Sequence, residues 1–368
     1  MNDERKRILK MVEEGLISAD EAADLLESLE KNKQQTDQSS SAISTEVDWE
    51  NQNTFTDEQH SSDTKSFKNK LLNFVEDTIK KVKHADLDFN FGTYYHVSHI
   101  YQYSDVSLDE VDLDIENGSV TLQVWDEKDV RVECNARVYQ VENEQEAKEK
   151  MMRDFRVHTN DGRLTLRSQT KKIKLDLQVY VPDNVYTDLH ARLFNGTVKF
   201  EGLSVDKAKV KTSNGKIHLY QMEGKDWEVE SANGSVRLEK IVCDECEVET
   251  MNGSIHLDGD FGKVETQTIN GMIRCYWNGE KGHTGFFKTT AGSIHLYLPE
   301  NKAIDGELKT NIGSVQCHLP VAKMIQNNQD VLRKSMRFQT SSNVEQYHHI
   351  EAETKTGSIK VQPLTTGR

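Results

Sequence analysis

The sequence predicts a mainly β chain: a stacked β-solenoid of about 19-residue repeats, preceded by a small helical hairpin and an amphipathic helix. Three observations predict it. Six glycines, Gly196, Gly215, Gly234, Gly253, Gly271 and Gly292, stand 19, 19, 19, 18 and 21 residues apart; Gly313 follows after 21 more, and Gly357 repeats the pattern after an insertion. Asparagine precedes five of them, at Asn195, Asn214, Asn233, Asn252 and Asn270. Residues at fixed offsets from each glycine also repeat in kind, so one structural unit is copied along the chain.

The offsets define two strands per unit. Two positions after the glycine stand Val198, Ile217, Val236, Ile255, Ile273, Ile294, Val315 and Ile359, all β-branched. Four after it stand Phe200, Leu219, Leu238, Leu257, Cys275, Leu296, Cys317 and Val361, with polar residues between the two columns. Period-two alternation marks a strand with one buried face. A second strand precedes the glycine, with a hydroxyl column at Thr212, Ser231, Thr250, Thr268, Thr289, Thr310 and Thr354. Glycine suits the bend because it takes φ > 0 without steric cost. A set of Asn-Gly hairpins would use the same turns. The repeated column chemistry favours in-register stacking, in which asparagines and threonines meet their own kind about 4.8 Å apart.

Residues 1–30 predict a helical hairpin module. Ile8, Leu9 and Val12 share a helical face, Gly15 stops the first helix, and Ser18 with Glu21 caps a second that carries Leu25, Leu26 and Leu29. Helices this short need a partner, either a second copy or another protein. Residues 31–64, rich in Gln, Ser, Thr and Asp, read as a disordered linker. Residues 65–84 predict an amphipathic helix with Phe67, Leu71, Phe74, Val75 and Val82 on one face and Lys68, Lys80 and Lys81 among its cations. Such a helix either caps the open end of a solenoid or lies on an anionic membrane. Residues 95–190 read as irregular β-repeats with one helix at 142–155 and a turn at Asp161-Gly162. The regular solenoid spans 191–363, with an insertion at 320–345, part helix, before the last unit closes the array.

Composition narrows the function. A net charge of −15 argues against a general nucleic-acid binder, and no apolar run is long enough to form a membrane-spanning helix. The charged start MNDERKRILKMVEEG is not a signal peptide, so the expected location is cytoplasmic, with peripheral membrane contact as a further option. Five scattered cysteines give no disulfide framework. Cys243 and Cys246 form a CxxC without a second ligand pair, and Cys246 falls where the preceding unit has Trp227, so both read as core residues. No phosphate-cradling loop, HExxH or GxSxG is present; no catalytic residue, cofactor or metal is expected. Asp258 and Asp260 flank a glycine-rich connection, where turn-forming aspartate is common.

The outward column three positions after each glycine reads Lys199, His218, Arg237, His256, Arg274 and His295, then Gln316 and Lys360. Stacked rungs would set the first six along about 24 Å. The other strand carries Lys209, Glu228, Glu247, Glu265, Phe286, Glu307 and Glu351. Aligned like charges repel, so a basic stripe invites an anionic polymer, a lipid surface or an acidic partner, more so at mildly acidic pH. A solvated face with inherited charges is the plainer explanation.

The NGS[VI]xL units at Asn233–Leu238 and Asn252–Leu257 resemble the bacterial "putative adhesin" β-strand-repeat family, and ERKRILKMVEEGLISADEAADLLESLE resembles the helical module ahead of that domain in LiaX/YvlB-like proteins. The resemblance covers residues 1–30 and 100–362. It implies a part in Gram-positive envelope-stress systems, with the N-terminal module as sensor and the repeats as regulator, and a surface location as an alternative. It carries over no catalytic residues. The function expected is a non-enzymatic interaction scaffold acting through a partner or a membrane surface. The alternatives are a carbohydrate-active β-helix enzyme, which needs outward carboxylates in a groove, and a polymer-forming solenoid, which needs uncovered end rungs.

Overall fold

Strand alternation and glycine bends together generate a stack of parallel coils. The computed structural model describes residues 93–364 except 321, 331–332 and 341–346. The predicted hairpin at 1–30, linker at 31–64 and helix at 65–84 lie outside the described residues. The regular part runs through β7 (Val185–Asn195), β8 (Val198–Glu201), β9 (Ser204–Asn214), β10 (Ile217–Tyr220), β11 (Glu223–Asn233), β12 (Val236–Asn252), β13 (Ile255–Asn270), β14 (Ile273–Trp277), β15 (Thr284–Ala291) and β16 (Ile294–Leu298). Each coil has a long strand before the glycine and a short one after it. Long strands pair in parallel with long ones, as β9 with β11, and short with short, as β10 with β12. Equivalent residues align: Ile217 with Val236, Leu219 with Leu238, Asn233 with Asn252. The result is two rows of parallel strands. Their inward side chains, including every β-branched residue of the first column, form one core. Burying each contributes about 1.5–3 kcal/mol.

Stacking explains the glycines better than turn geometry does. Gly196 and Gly292 have positive φ, but Gly215, Gly234, Gly253 and Gly271 do not. What these four share is crowding: a Cβ on any of them would stand 1.8–2.0 Å from the carbonyl oxygen of the glycine one coil earlier. The hydroxyl column exploits the same carbonyls. Ser231, Thr250 and Thr268 donate to Gly215, Gly234 and Gly253 at 3.1, 3.0 and 3.1 Å. The threonines therefore bond to backbone and do not form the expected ladder among themselves. The asparagines do form one: each Nδ2 from Asn214 to Asn270 donates to the Oδ1 of the asparagine one coil earlier, at 2.9–3.0 Å.

The N-terminal end is irregular. It comprises β1 (Tyr94–Tyr103), β2 (Glu110–Trp125), β3 (Val130–Tyr139), α1 (Glu144–Asp154), β4 (Phe155–Asn160), β5 (Arg163–Ser168) and β6 (Ile173–Pro182). Asn143 caps α1 by accepting from the Glu146 amide at 2.9 Å. β2 spans both rows, pairing with β7 and then β8, and acts as the first coil. β4 and β5 form a hairpin across Asp161-Gly162; in the other row β6 pairs in parallel with β2, and β3 and then β1 follow antiparallel.

The C-terminal end departs from expectation twice. Of the segment 320–345, the described residues form strands β19 (Lys323–Gln329) and β20 (Lys334–Gln339), with no helix among them. The alternation of Met336 and Phe338 inward against Arg337 outward fits a strand, and the exposed edge of β17 (Ile304–Ile312) pairs with it antiparallel. Nor does the last unit, β21 (His348–Thr356) and β22 (Ile359–Pro363), close the array. It lies between the coil of β15 and β16 and the coil of β17 and β18 (Val315–Cys317). The hydroxyl bonds record the same order: Thr354 donates to Gly292, and Thr310 donates to Gly357, each at 2.9 Å.

Candidate interaction surface

The short strands present three outward columns, one, three and five positions after the glycine. The basic column occupies the middle. Register places Lys199, His218, Arg237, His256, Arg274 and His295 on six consecutive coils, followed by Lys360 and then Gln316 because of the intercalated last unit. All six stripe residues expected from the repeat are thus brought together on one face.

The flanking column, which the glycine-plus-three pattern does not include, divides the stripe. It runs Glu201, Tyr220, Glu239, Asp258, Tyr276, Tyr297 and Gln362. At the early coils it supplies acids. Lys199 pairs with Glu201 at 3.3 Å. Glu239 lies 2.8 Å from His218, 3.1 Å from Arg237 and 3.9 Å from His256. Burial works to raise the Glu239 carboxyl, but hydrogen bonds with His218 and Arg237 outweigh it and hold it below the ordinary range. At the later coils the column turns aromatic. The rings of Tyr276 and Tyr297 stack at 4.3 Å with 7° between planes. Among the described residues no ion pair reaches Arg274, His295 or Lys360. Burial, then Arg274 and Lys360, pushes the His295 imidazole down; burial, then Arg237, does the same to His256. Scanning the fifth offset as well as the third would have revealed the division.

The long strands carry charge in bands. Lys207, Lys209 and Lys211 on β9 align with Asp226, Glu228 and Glu230 on β11, which align in turn with Glu245, Glu247 and Glu249 on β12. Lys209 pairs with Glu228, and Lys211 reaches Glu228 at 2.9 Å and Glu230 at 2.6 Å. Burial and the neighbouring Glu228 push the Glu230 carboxyl up to about 7. Burial opposes ionisation of Glu228 too, but hydrogen bonds with Glu230, Lys209 and Lys211 hold that carboxyl well down. At the N-terminal end Asp112 lies 2.8 Å from Arg167 and 3.2 Å from His190, and Asp114 lies 2.8 Å from Arg192. The face expected to be largely acidic is therefore partly self-neutralised, a pattern visible only when neighbouring coils are aligned.

The cysteines sit in the core: Cys134, Cys243, Cys246 and Cys275 are buried and free, and Cys246 aligns with Trp227. Burial pushes the Cys134 thiol up to about 12, which suits packing and not nucleophilic chemistry. Among the described residues no cluster of three metal-ligating side chains occurs, and no helix is long and apolar enough to cross a membrane. Ile8, Leu9, Val12, Leu25, Leu26 and Leu29, and Phe67, Lys68, Leu71, Phe74, Val75, Lys80, Lys81 and Val82, lie outside the described residues.

Comparison with known proteins adds three findings. The family profile described as Toastrack DUF4097 matches residues 108–362, and a SHOCT-like domain profile matches residues 3–34. The chain is 33% identical over 362 residues to a protein of Bacillus subtilis (strain 168) described as "Uncharacterized protein YvlB", covering 98% of this chain and 99% of that one. Similar solved structures include a "putative adhesin" from Parabacteroides distasonis, 12% identical, TM-score 0.36, covering 72% of this chain and 97% of that one. Another, from the same organism, is described as a "Putative lipid binding protein"; it is 11% identical, with TM-score 0.32, covering 72% and 96%.

Proposed function

This chain belongs to the Toastrack family, and from that premise we propose that it is a non-enzymatic interaction scaffold of the bacterial cell-envelope stress response. The coil stack is the scaffold. The row from Lys199 to Lys360 is its contact face for an acidic partner. The N-terminal helices are the module for a protein partner or a second copy, and residues 65–84 are the membrane-surface contact of a protein resident in the cytoplasm. The observation that carries this reading is the row itself: basic residues on seven consecutive coils of one face, in a chain of net charge −15. The SHOCT-like match at 3–34 and the end-to-end likeness to YvlB support a two-part design of helical module and β domain.

Co-sedimentation of the full chain with anionic and neutral vesicles, at low and physiological salt, tests it. Salt-sensitive binding to anionic vesicles alone, lost on deleting residues 65–84, is the expected result. Absence of binding at both salt concentrations would remove the membrane part and leave protein partners of residues 1–30 as the target.

A further inference from the structure

One part of the contact face differs from the rest in kind. Along the coils of β14, β16 and β22 the middle column is Arg274, His295 and Lys360. Its neighbours on one side are Met272, Ser293 and Ser358, and on the other Tyr276, Tyr297 and Gln362. No carboxylate stands in any of the three columns on these three coils, whereas Glu201, Glu239 and Asp258 stand on the coils before them. In a chain with 61 acidic residues against 46 basic ones, an acid-free rectangle with three aligned basic side chains is a departure from the surrounding surface. Arg274 adds a second observation. Among the described residues its Nε is buried without a hydrogen-bond partner, and its guanidinium makes only a 3.6 Å contact to the Met272 sulfur. The outer guanidinium nitrogens, which have no oxygen acceptor among the described residues, are the donors an incoming oxyanion would engage.

We propose that Arg274, His295 and Lys360 form a binding strip for a linear chain of phosphate groups, with the seryl and tyrosyl hydroxyls at its margins as further donors. The coil spacing sets the basic side chains about 4.8 Å apart in a straight line. That geometry suits an extended polyanion that places an oxyanion at each coil and suits a single small anion less well. Phosphate oxygens would complete the donor set of Arg274 and relieve the mutual repulsion of the three basic groups. His295 faces Arg274 on one side and Lys360 on the other, with Ser293 just before its strand and Tyr297 on it, so no acid among these neighbours holds its proton. A bound phosphate would do so, and binding therefore takes up a proton in mildly acidic solution. The inference rests on the reading of the row as a contact face. It is independent of the N-terminal helices.

Calorimetric titration of the full chain with short-chain linear polyphosphate, with orthophosphate as the single-anion control and phosphatidylglycerol vesicles as a separate arm, tests it. Polyphosphate is expected to bind, more tightly at pH 6 than at pH 8. Paired Arg274→Gln and Lys360→Gln substitutions should weaken it on the order of tenfold, and His295→Gln should remove the pH dependence. Lys207→Gln with Lys209→Gln, on the long strand β9 outside the row, should leave binding within about twofold. Equal loss from both pairs of substitutions would overturn the strip in favour of diffuse electrostatics. Orthophosphate binding as tightly as polyphosphate, vesicle binding without polyphosphate binding, or no binding at all would also overturn it. A chain lacking residues 65–84 should keep its polyphosphate affinity, which separates failure of the strip from failure of the membrane helix.

Discussion

Gly253 lies under Gly234 so closely that a Cβ on Gly253 would stand 2.0 Å from the Gly234 carbonyl oxygen. The same oxygen accepts the Thr250 hydroxyl at 3.0 Å. One carbonyl thus fixes both the glycine and the threonine of the next coil. Gly253→Ala forces two coils apart at mid-stack, and a loss of about 3 kcal/mol is expected, at the upper end of overpacking costs. Thr250→Val keeps the shape and removes one hydrogen bond, for about 1 kcal/mol. Chemical denaturation of both variants checks the ranking; a Gly253→Ala protein as stable as Thr250→Val would refute the close-approach explanation.

The asparagine ladder gives a second expectation. Asn233 donates to Asn214 and accepts from Asn252, each at 3.0 Å. Asn233→Asp keeps the acceptor but loses the donor and sets two oxygens face to face. A loss of about 1–2 kcal/mol is expected at pH 7, partly recovered below the carboxylate range as the acid protonates. Thermal melts at pH 7 and pH 4, referenced to the unsubstituted protein, provide the measurement.

Glu230 makes stability depend on pH. Its folded value, about 7, lies above the ordinary 4.5. The fold therefore favours the protonated carboxyl, and stability should fall as pH rises from about 5 to 8, by on the order of 1–2 kcal/mol. Glu228 is displaced the opposite way, and its contribution is lost only in acid, below this window. Glu230→Gln should flatten the slope and be the more stable protein at pH 8. Urea titrations across the window decide; a slope unchanged by the substitution would place its origin elsewhere.

Glu239 neutralises the early half of the basic row through His218 and Arg237. Exposed ion pairs contribute about 0–1 kcal/mol, so Glu239→Gln should barely move the melting temperature. It should, however, free His218 and Arg237 from their shared carboxylate, with Asp258 still standing between them and the acid-free patch, and raise affinity for polyphosphate severalfold. Unchanged affinity would mean that charge pairing does not set the boundary of the strip.

The strands and their register were legible because glycine, β-branched residues and alternation all point to the same period. Val198, Ile217, Val236 and Ile255 announce a buried column by their spacing alone. The boundary within the stripe was not legible, because a single offset hides what Glu239 and Tyr297 do from the neighbouring column. The order of the last coils was hidden for another reason. Each unit carries the same pattern, so pattern alone cannot say whether Thr354 sits beyond Thr310 or inside it; the open edges decide. The 320–345 segment shows the same influence, since a free edge at β17 recruits β20 as a strand.

The intercalated coil yields a truncation test. Removing residues 348–368 takes away the shared neighbour of β15 and β17, and of β16 and β18. Limited proteolysis of that truncated chain should cut between residues 299 and 340 much faster than in the full chain. Equal protection would mean that the β17 coil can dock on β15 unaided.

The position of that coil also sets an order of assembly during biosynthesis. In most linear stacks each coil can settle on its predecessor as it leaves the ribosome. Here the β17 coil emerges with its eventual inner neighbour still unmade, and Gly313 finds its place only against Gly357. The β17 coil thus stays an unfinished bracket until residues 348–363 have been made, and they close it from within. A nascent chain stalled before residue 348 would therefore display unpaired strand edges that the released protein conceals.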